Sequence, residues 1–127
     1  MRPQTVLVVE DLEDVRAVVT ELLALDRYQV LTARNLAEAD AVREELGLAA
    51  LGLVITNLRL TRSHEAQEGI DLIRRWHALD PALPFILMSG NLHVPALADL
   101  PVKAVWYLSK PFALEAFRDT VREATQA

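Results

Sequence analysis

Short apolar runs alternate along this chain with stretches whose apolar residues recur every three or four positions. Val6-Leu-Val-Val9 is compact, β-branched and ends abruptly in acids, which predicts a strand buried on both faces. From Val15 the apolar positions fall at Val15, Val18, Val19, Leu22 and Leu23, the spacing of an amphipathic helix. Tyr28 to Thr32 reads as a second strand. Asn35 is placed to cap a helix with Leu36, Ala39, Val42 and Leu46 inward, and Gly47 to end it. Leu51 to Thr56 is a third strand, followed by a polar stretch from Thr61 to Glu68. Ile70, Ile73, Trp76 and Leu79 mark the inward face of a third helix, closed by Asp80-Pro81.

Phe85 to Met88 reads as the fourth strand, with turn chemistry in Ser89-Gly90-Asn91. His93 to Leu100 predicts a short fourth helix with Pro95 near its start, and Val102 to Leu108 a fifth strand. A last helix presents Leu114, Phe117, Val121 and Ala124 on one face. Five strands alternating with five helices imply an α/β fold, a five-stranded parallel sheet doubly wound by right-handed crossovers. There is no repeat and no low-complexity tract, so residues 1–127 are expected to form a single domain, with no further domain after the last helix.

Composition narrows the options. The 127 residues are 52% hydrophobic and 24% charged, enough apolar side chain for a real core. Cysteine is absent, which excludes disulfides, thiolate metal sites and a cysteine nucleophile. A net charge of −5 argues against a nucleic-acid footprint or a polybasic membrane anchor. The longest nearly apolar run, Leu46 to Ile55, is far short of the ~20 residues of a membrane span, and the N-terminus lacks a signal-peptide pattern. A cytoplasmic protein is expected. The charge is unevenly spread, with Glu10, Asp11, Glu13 and Asp14 in five positions and only two lysines, Lys103 and Lys110, beside eleven arginines.

In open parallel sheets, ligands bind beyond the carboxyl ends of the strands. Those ends carry Glu10 and Asp11, then Asn57, Ser89 and Ser109-Lys110-Pro111. Two carboxylates with oxygen neighbours suit Mg²⁺, a hard cation that takes one or two protein carboxylates and keeps several waters. A hydroxyl and a lysine suit a phosphoryl group. Taken singly, each has a plainer reading: Glu10 and Asp11 as helix-start acids, Asn57 as a turn residue, Ser89 as a cap, Lys110-Pro111 as a tight turn with room for a cis bond. Trp76 and Trp106 read as core. His64, His77 and His93 share no ligand spacing, and His64-Glu65 lacks the second histidine of a zinc-protease motif. No glycine-rich phosphate loop follows the first strand, and no nucleophile–histidine–acid set stands at the strand ends.

In this order, at successive strand ends, the residues resemble the receiver domain of two-component response regulators, over nearly the whole chain. Val-Val-Glu10-Asp11 matches the family's acidic pair, and Leu-Val-Ile-Thr-Asn57-Leu-Arg-Leu its phosphoacceptor strand. Leu-Met-Ser89-Gly matches its switch strand, and Tyr107-Leu-Ser-Lys110-Pro111-Phe its terminal motif. The resemblance implies a CheY-like sheet of strand order 2-1-3-4-5. It makes Glu10 and Asp11 metal-binding acids, Ser89 and Lys110 phosphoryl contacts, and Tyr107 the switch aromatic. It implies a signalling module rather than an enzyme. Partners would be a sensor kinase, an output protein or a second copy, met through the face of the fourth helix, fifth strand and fifth helix.

The chain departs from the family at the acceptor, where Asn57 replaces an aspartate. A carboxamide is a poor nucleophile and cannot form the acyl phosphate. It also removes one negative charge, so Mg²⁺ held by Glu10, Asp11 and the Asn57 amide oxygen is expected to bind weakly. The 61–68 segment is longer than the family loop and lacks its proline. The leading expectation is a pseudo-receiver that acts by protein–protein interaction without phosphorylation at position 57. Alternatives are a phosphorylatable receiver using another carboxylate such as Asp11 or a converted Asn57, an engineered Asp-to-Asn form of a normal receiver, and a small metal- or nucleotide-dependent enzyme on the same fold.

Overall fold

The computed structural model describes residues 2–60 and 67–126. Five parallel strands, β1 (Thr5–Val9), β2 (Gln29–Ala33), β3 (Leu53–Asn57), β4 (Phe85–Ser89) and β5 (Val105–Ser109), form one sheet in the order β2-β1-β3-β4-β5. The helices among the described residues are α1 (Glu13–Leu25), α2 (Leu36–Leu46), α3 (Glu68–Leu79) and α4 (Leu114–Gln126). The doubly wound α/β architecture is as the sequence predicts, and the strand order is the one the resemblance implies. Thr61 to Ala66, most of the unusual 61–68 segment and the site of His64, lie outside the described residues.

Alternation along each strand divides the core into two layers. Leu7, Val9, Val54, Phe85 and Leu87 point to one face, where they meet Ile70, Ile73 and Trp76 of α3 and Ala39 of α2. Val6, Val8, Leu53, Ile55, Ile86 and Met88 point to the other, against Val19 and Leu23 of α1 and Phe117, Val121 and Ala124 of α4. Every residue of β3 is buried, as a central strand covered on both faces must be. Asn35 caps α2 by accepting the Glu38 N–H at 2.9 Å, and Gly47 ends it at φ 79°.

Four sequence expectations are corrected. The 93–100 helix is only a 3-10 turn, Pro95–Asp99; five residues are too few to repay the nucleation of an α-helix. The fifth strand starts at Val105, because residues 102–104 turn and leave Val102 exposed. The third starts at Leu53, after a 3-10 turn at Leu48–Ala50. Val18, Leu46, Leu79 and Leu114 are not inward: Leu46, Leu79 and Leu114 sit at helix ends, and Val18 lies at the edge of its stripe.

The N-terminus is tied down by Arg2. Its guanidinium donates to the carbonyls of Leu48 and Leu51 at 2.9 Å and to both oxygens of Asp80 at 2.8 and 3.3 Å.

Candidate functional site

Register brings the site together. β1 pairs with both β2 and β3, Val9 opposite Thr56, so Glu10 and Asp11 leave the sheet beside Asn57. β4 pairs with β3 and β5, Asn57 opposite Met88 and Ser89 opposite Ser109, which brings Ser89 and Lys110 to the same carboxyl edge. Backbone bonds continue past the strands: Glu10 N–H donates to Ala33, Leu58 N–H to Met88, and Lys110 N–H to Ser89, all near 2.9 Å. The Lys110–Pro111 peptide is cis.

Glu10 is fully buried, and its Oε1 accepts a hydrogen bond from Lys110 Nζ at 3.0 Å. Burial lifts its pKa above the ordinary carboxylate value, against the lowering pull of the Lys110 ammonium. Arg16, on α1, donates to the Glu10 carbonyl at 2.8 Å. Asn57, 5% exposed, donates from Nδ2 to Asp11 Oδ1 at 3.3 Å, so a neutral amide stands where a carboxylate would repel Asp11. Ser89 Oγ donates to the Asn91 carbonyl at 2.9 Å and accepts the Asn91 N–H at 3.0 Å. Its proton is thus committed to its own turn. Tyr107, 38% exposed on β5, does not line the cleft.

The cleft itself, about 210 Å³, is lined by Asp11, Asn57, Arg59, Ser89, Gly90 and Lys110 together with Leu12 and Met88. It is smaller than the ~300–1,000 Å³ of sites that enclose drug-sized ligands, which disfavours a nucleotide there. Arg59 was not among the sequence candidates. A signal was present, since Arg59 is a charged residue between the buried Leu58 and Leu60, two positions past the end of β3. Arg16 carried no comparable signal, because its role is a bond to backbone.

Two buried acceptor oxygens, Glu10 Oε2 and Asn57 Oδ1, have no hydrogen-bond partner among the described residues. With the Asp11 carboxylate they form a set of oxygens of the kind Mg²⁺ takes. The set is lean: Glu10 is shared with Lys110, and no group of three His, Cys, Asp or Glu able to hold a metal occurs among the described residues. These donors fit a largely hydrated ion. No described helix is long and apolar enough to cross a membrane.

Comparison with known proteins agrees with this fold. Residues 6–122 match the model of the response regulator receiver domain. The chain is 30% identical over 125 residues to the C4-dicarboxylate transport transcriptional regulatory protein DctD of Rhizobium meliloti, covering 96% of this chain and 25% of that protein. It is 32% identical over 120 residues to the sensor kinase CckA of Brucella abortus, covering 94% of this chain and 12% of that one. The chain thus spans a quarter or less of the length of these relatives. A receiver domain protein from Clostridium thermocellum shares the fold, with a TM-score of 0.79 at 23% identity over 96% of this chain and 94% of that one. The chain belongs to the response regulator receiver domain family, a family of signalling modules.

Proposed function

We propose that this receiver works in two-component or phosphorelay signalling through protein–protein contact, without aspartyl phosphorylation at position 57. The observation that carries the reading is Asn57 itself, a buried carboxamide at the end of β3 that donates to Asp11 and lines the cleft with Ser89 and Lys110. An acyl phosphate needs a carboxylate oxygen as nucleophile, and the amide supplies none. Glu10, Asp11 and the Asn57 amide oxygen would hold Mg²⁺ weakly. Such an ion, when bound, supplies positive charge that offsets the acids and a docked phosphoryl group. Lys110 orients and neutralises Glu10, and Asn57 keeps Asp11 hydrogen-bonded without adding charge.

The partners fitting this reading are a sensor kinase, an output protein or a second copy, in the cytoplasm, met through the face of the Pro95–Asp99 turn, β5 and α4, where Tyr107 stands exposed. A net charge of −5 argues against nucleic acid and membrane surfaces as partners. The test is intact-mass analysis after incubation with a small phosphodonor and Mg²⁺. The wild-type protein should gain no phosphoryl group, and Asn57→Asp should gain one. A stoichiometric, metal-dependent adduct on the wild-type chain, for instance at Asp11, would overturn the proposal. Failure of Asn57→Asp to label would mean that Glu10, Asp11, Ser89 and Lys110 do not take the roles assigned to them.

A further inference from the structure

A second cleft lies at the opposite edge of the sheet, where β3, β4 and β5 begin. Its volume is about 690 Å³, within the ~300–1,000 Å³ of small-molecule sites. The residues immediately before those strands are Gly52, Pro84 and Ala104, all lining the cleft and all buried, so this edge is recessed. A smaller cleft of about 240 Å³ adjoins it through Arg2, Gly52, Thr125 and Gln126. Trp106, at the start of β5, forms one wall. It packs against the core layer shared with α1 and α4, yet it is only half-buried, where the sequence alone reads it as core. Tryptophan is highly buried on average, and a ring left open to a cleft offers a flat apolar surface for stacking.

Charge narrows the ligand. Two cations line the cleft, Arg2 and Lys103, and no acid does. Arg2 is already balanced by Asp80 at 2.8 Å, so the formal sum with Asp80 included is +1. Lys103 is exposed and has no ion pair among the described residues. The last turn of α4 also lines the cleft, and the carbonyls of a helix C-terminus carry partial negative charge. One uncompensated ammonium beside that turn suits a single negative charge and disfavours a polyanion such as a nucleotide. Gln126 reaches both clefts and offers an amide donor and acceptor. We propose that this cleft binds a small aromatic monoanion, a carboxylate whose ring lies against Trp106 and whose charge meets Lys103. The inference is independent of the reading of residue 57 and places a second ligand site at the far end of the sheet.

The test is a ¹H–¹⁵N titration of the whole chain at constant ionic strength with 2-naphthoate. Two comparators divide its chemistry: 2-naphthalenemethanol keeps the ring without the charge, and cyclohexanecarboxylate keeps the charge without the flat ring. Saturable shifts in the roughly millimolar range are expected at the Trp106 indole N–H and at the amides of residues 103–106 and 124–126. The indole N–H of Trp76, fully buried on α3, should stay still. Lys103→Gln, a change at an exposed side chain, should weaken 2-naphthoate roughly tenfold, the low end for a hydrogen bond to a charged group. It should leave 2-naphthalenemethanol unchanged. Trp106→Leu and the cyclohexane comparator should each cost roughly fivefold, the loss of a stacked ring pair. No saturable shift, shifts centred instead on Val18 and Phe112, or binding that Lys103→Gln leaves unaltered would overturn the inference.

Discussion

Gly69 starts the inward face of α3 directly against the backbone of the candidate acceptor position. A Cβ built there would lie 2.0 Å from the Asn57 carbonyl oxygen, 2.9 Å from its carbon and 3.0 Å from Leu58 Cα. Carbon contacts relax only near 3.5–4.0 Å, so Gly69→Ala must push the first turn of α3 back by roughly 1.5 Å. All three atoms are backbone, in or just past a fully buried strand, and no side chain can swing aside. The retreat breaks the Gly69 N–H bond to the Leu58 carbonyl, 3.0 Å long, at a cost of about 1 kcal/mol. Overpacking adds about 1–3 kcal/mol, with rigid neighbours favouring the upper end. Alanine's better helix propensity returns at most about 1 kcal/mol. The net is about 2–3 kcal/mol, or roughly 10 °C in Tm for a domain of this size. Urea unfolding followed by tryptophan fluorescence measures it, since Trp76 is fully buried on the same helix. A Gly69→Ala protein with an unchanged or higher midpoint would refute the close approach of α3 to Asn57.

Two other substitutions test the ionic contacts. Lys110→Met leaves the buried Glu10 carboxylate without its counter-ion and should cost about 3 kcal/mol at neutral pH, the low end for a broken buried pair because Lys110 is 25% exposed. Glu10 has a folded pKa above its ordinary 4.5, so folding loses stability as pH rises from there through the raised value; without Lys110 that loss grows. Unfolding titrations should therefore show the variant's deficit shrinking toward about pH 4, and a pH-independent deficit would contradict the pairing. Arg2→Ala should cost about 2 kcal/mol by removing bonds to Leu48, Leu51 and Asp80. Hydrogen bonding from Arg2 holds the Asp80 pKa below its ordinary 3.8, so the stability it confers is present above 3.8 and lost as pH falls through the lower folded value. The variant's acid unfolding limb should be shallower than wild type's, and identical limbs would show that Arg2 does not stabilise the Asp80 carboxylate.

What could be read in the sequence, and what could not, divides along physical lines. β1, β3 and β4 were legible because strands covered on both faces carry unbroken apolar runs, and their ends located Glu10, Asp11, Asn57 and Ser89. The cap at Asn35 and the stop at Gly47 depend only on neighbouring residues, so they too were readable. The 93–100 segment was misread because apolar spacing does not report hydrogen-bond length, and a single short turn around Pro95 satisfies the same pattern. Leu79 and Leu46 fit the period of their helices yet project past the sheet, a matter of where the neighbouring layer stops. The partner of Lys110 was not legible at all. Which carboxylate it pairs with is set by the depth of Glu10, a tertiary quantity.

The Lys110–Glu10 contact joins residues one hundred positions apart, the first strand to the edge strand. The site's acid pair comes from β1, whereas Lys110 stands past the end of β5. A chain folded only through α3 would hold Glu10 and Asp11 next to Asn57 with no ammonium between them. Until β5 is in place, the same cleft therefore carries one more unit of net negative charge. Charge balance at this site is a property of the completed sheet, so a probe sensitive to local potential would report whether the last strand has docked.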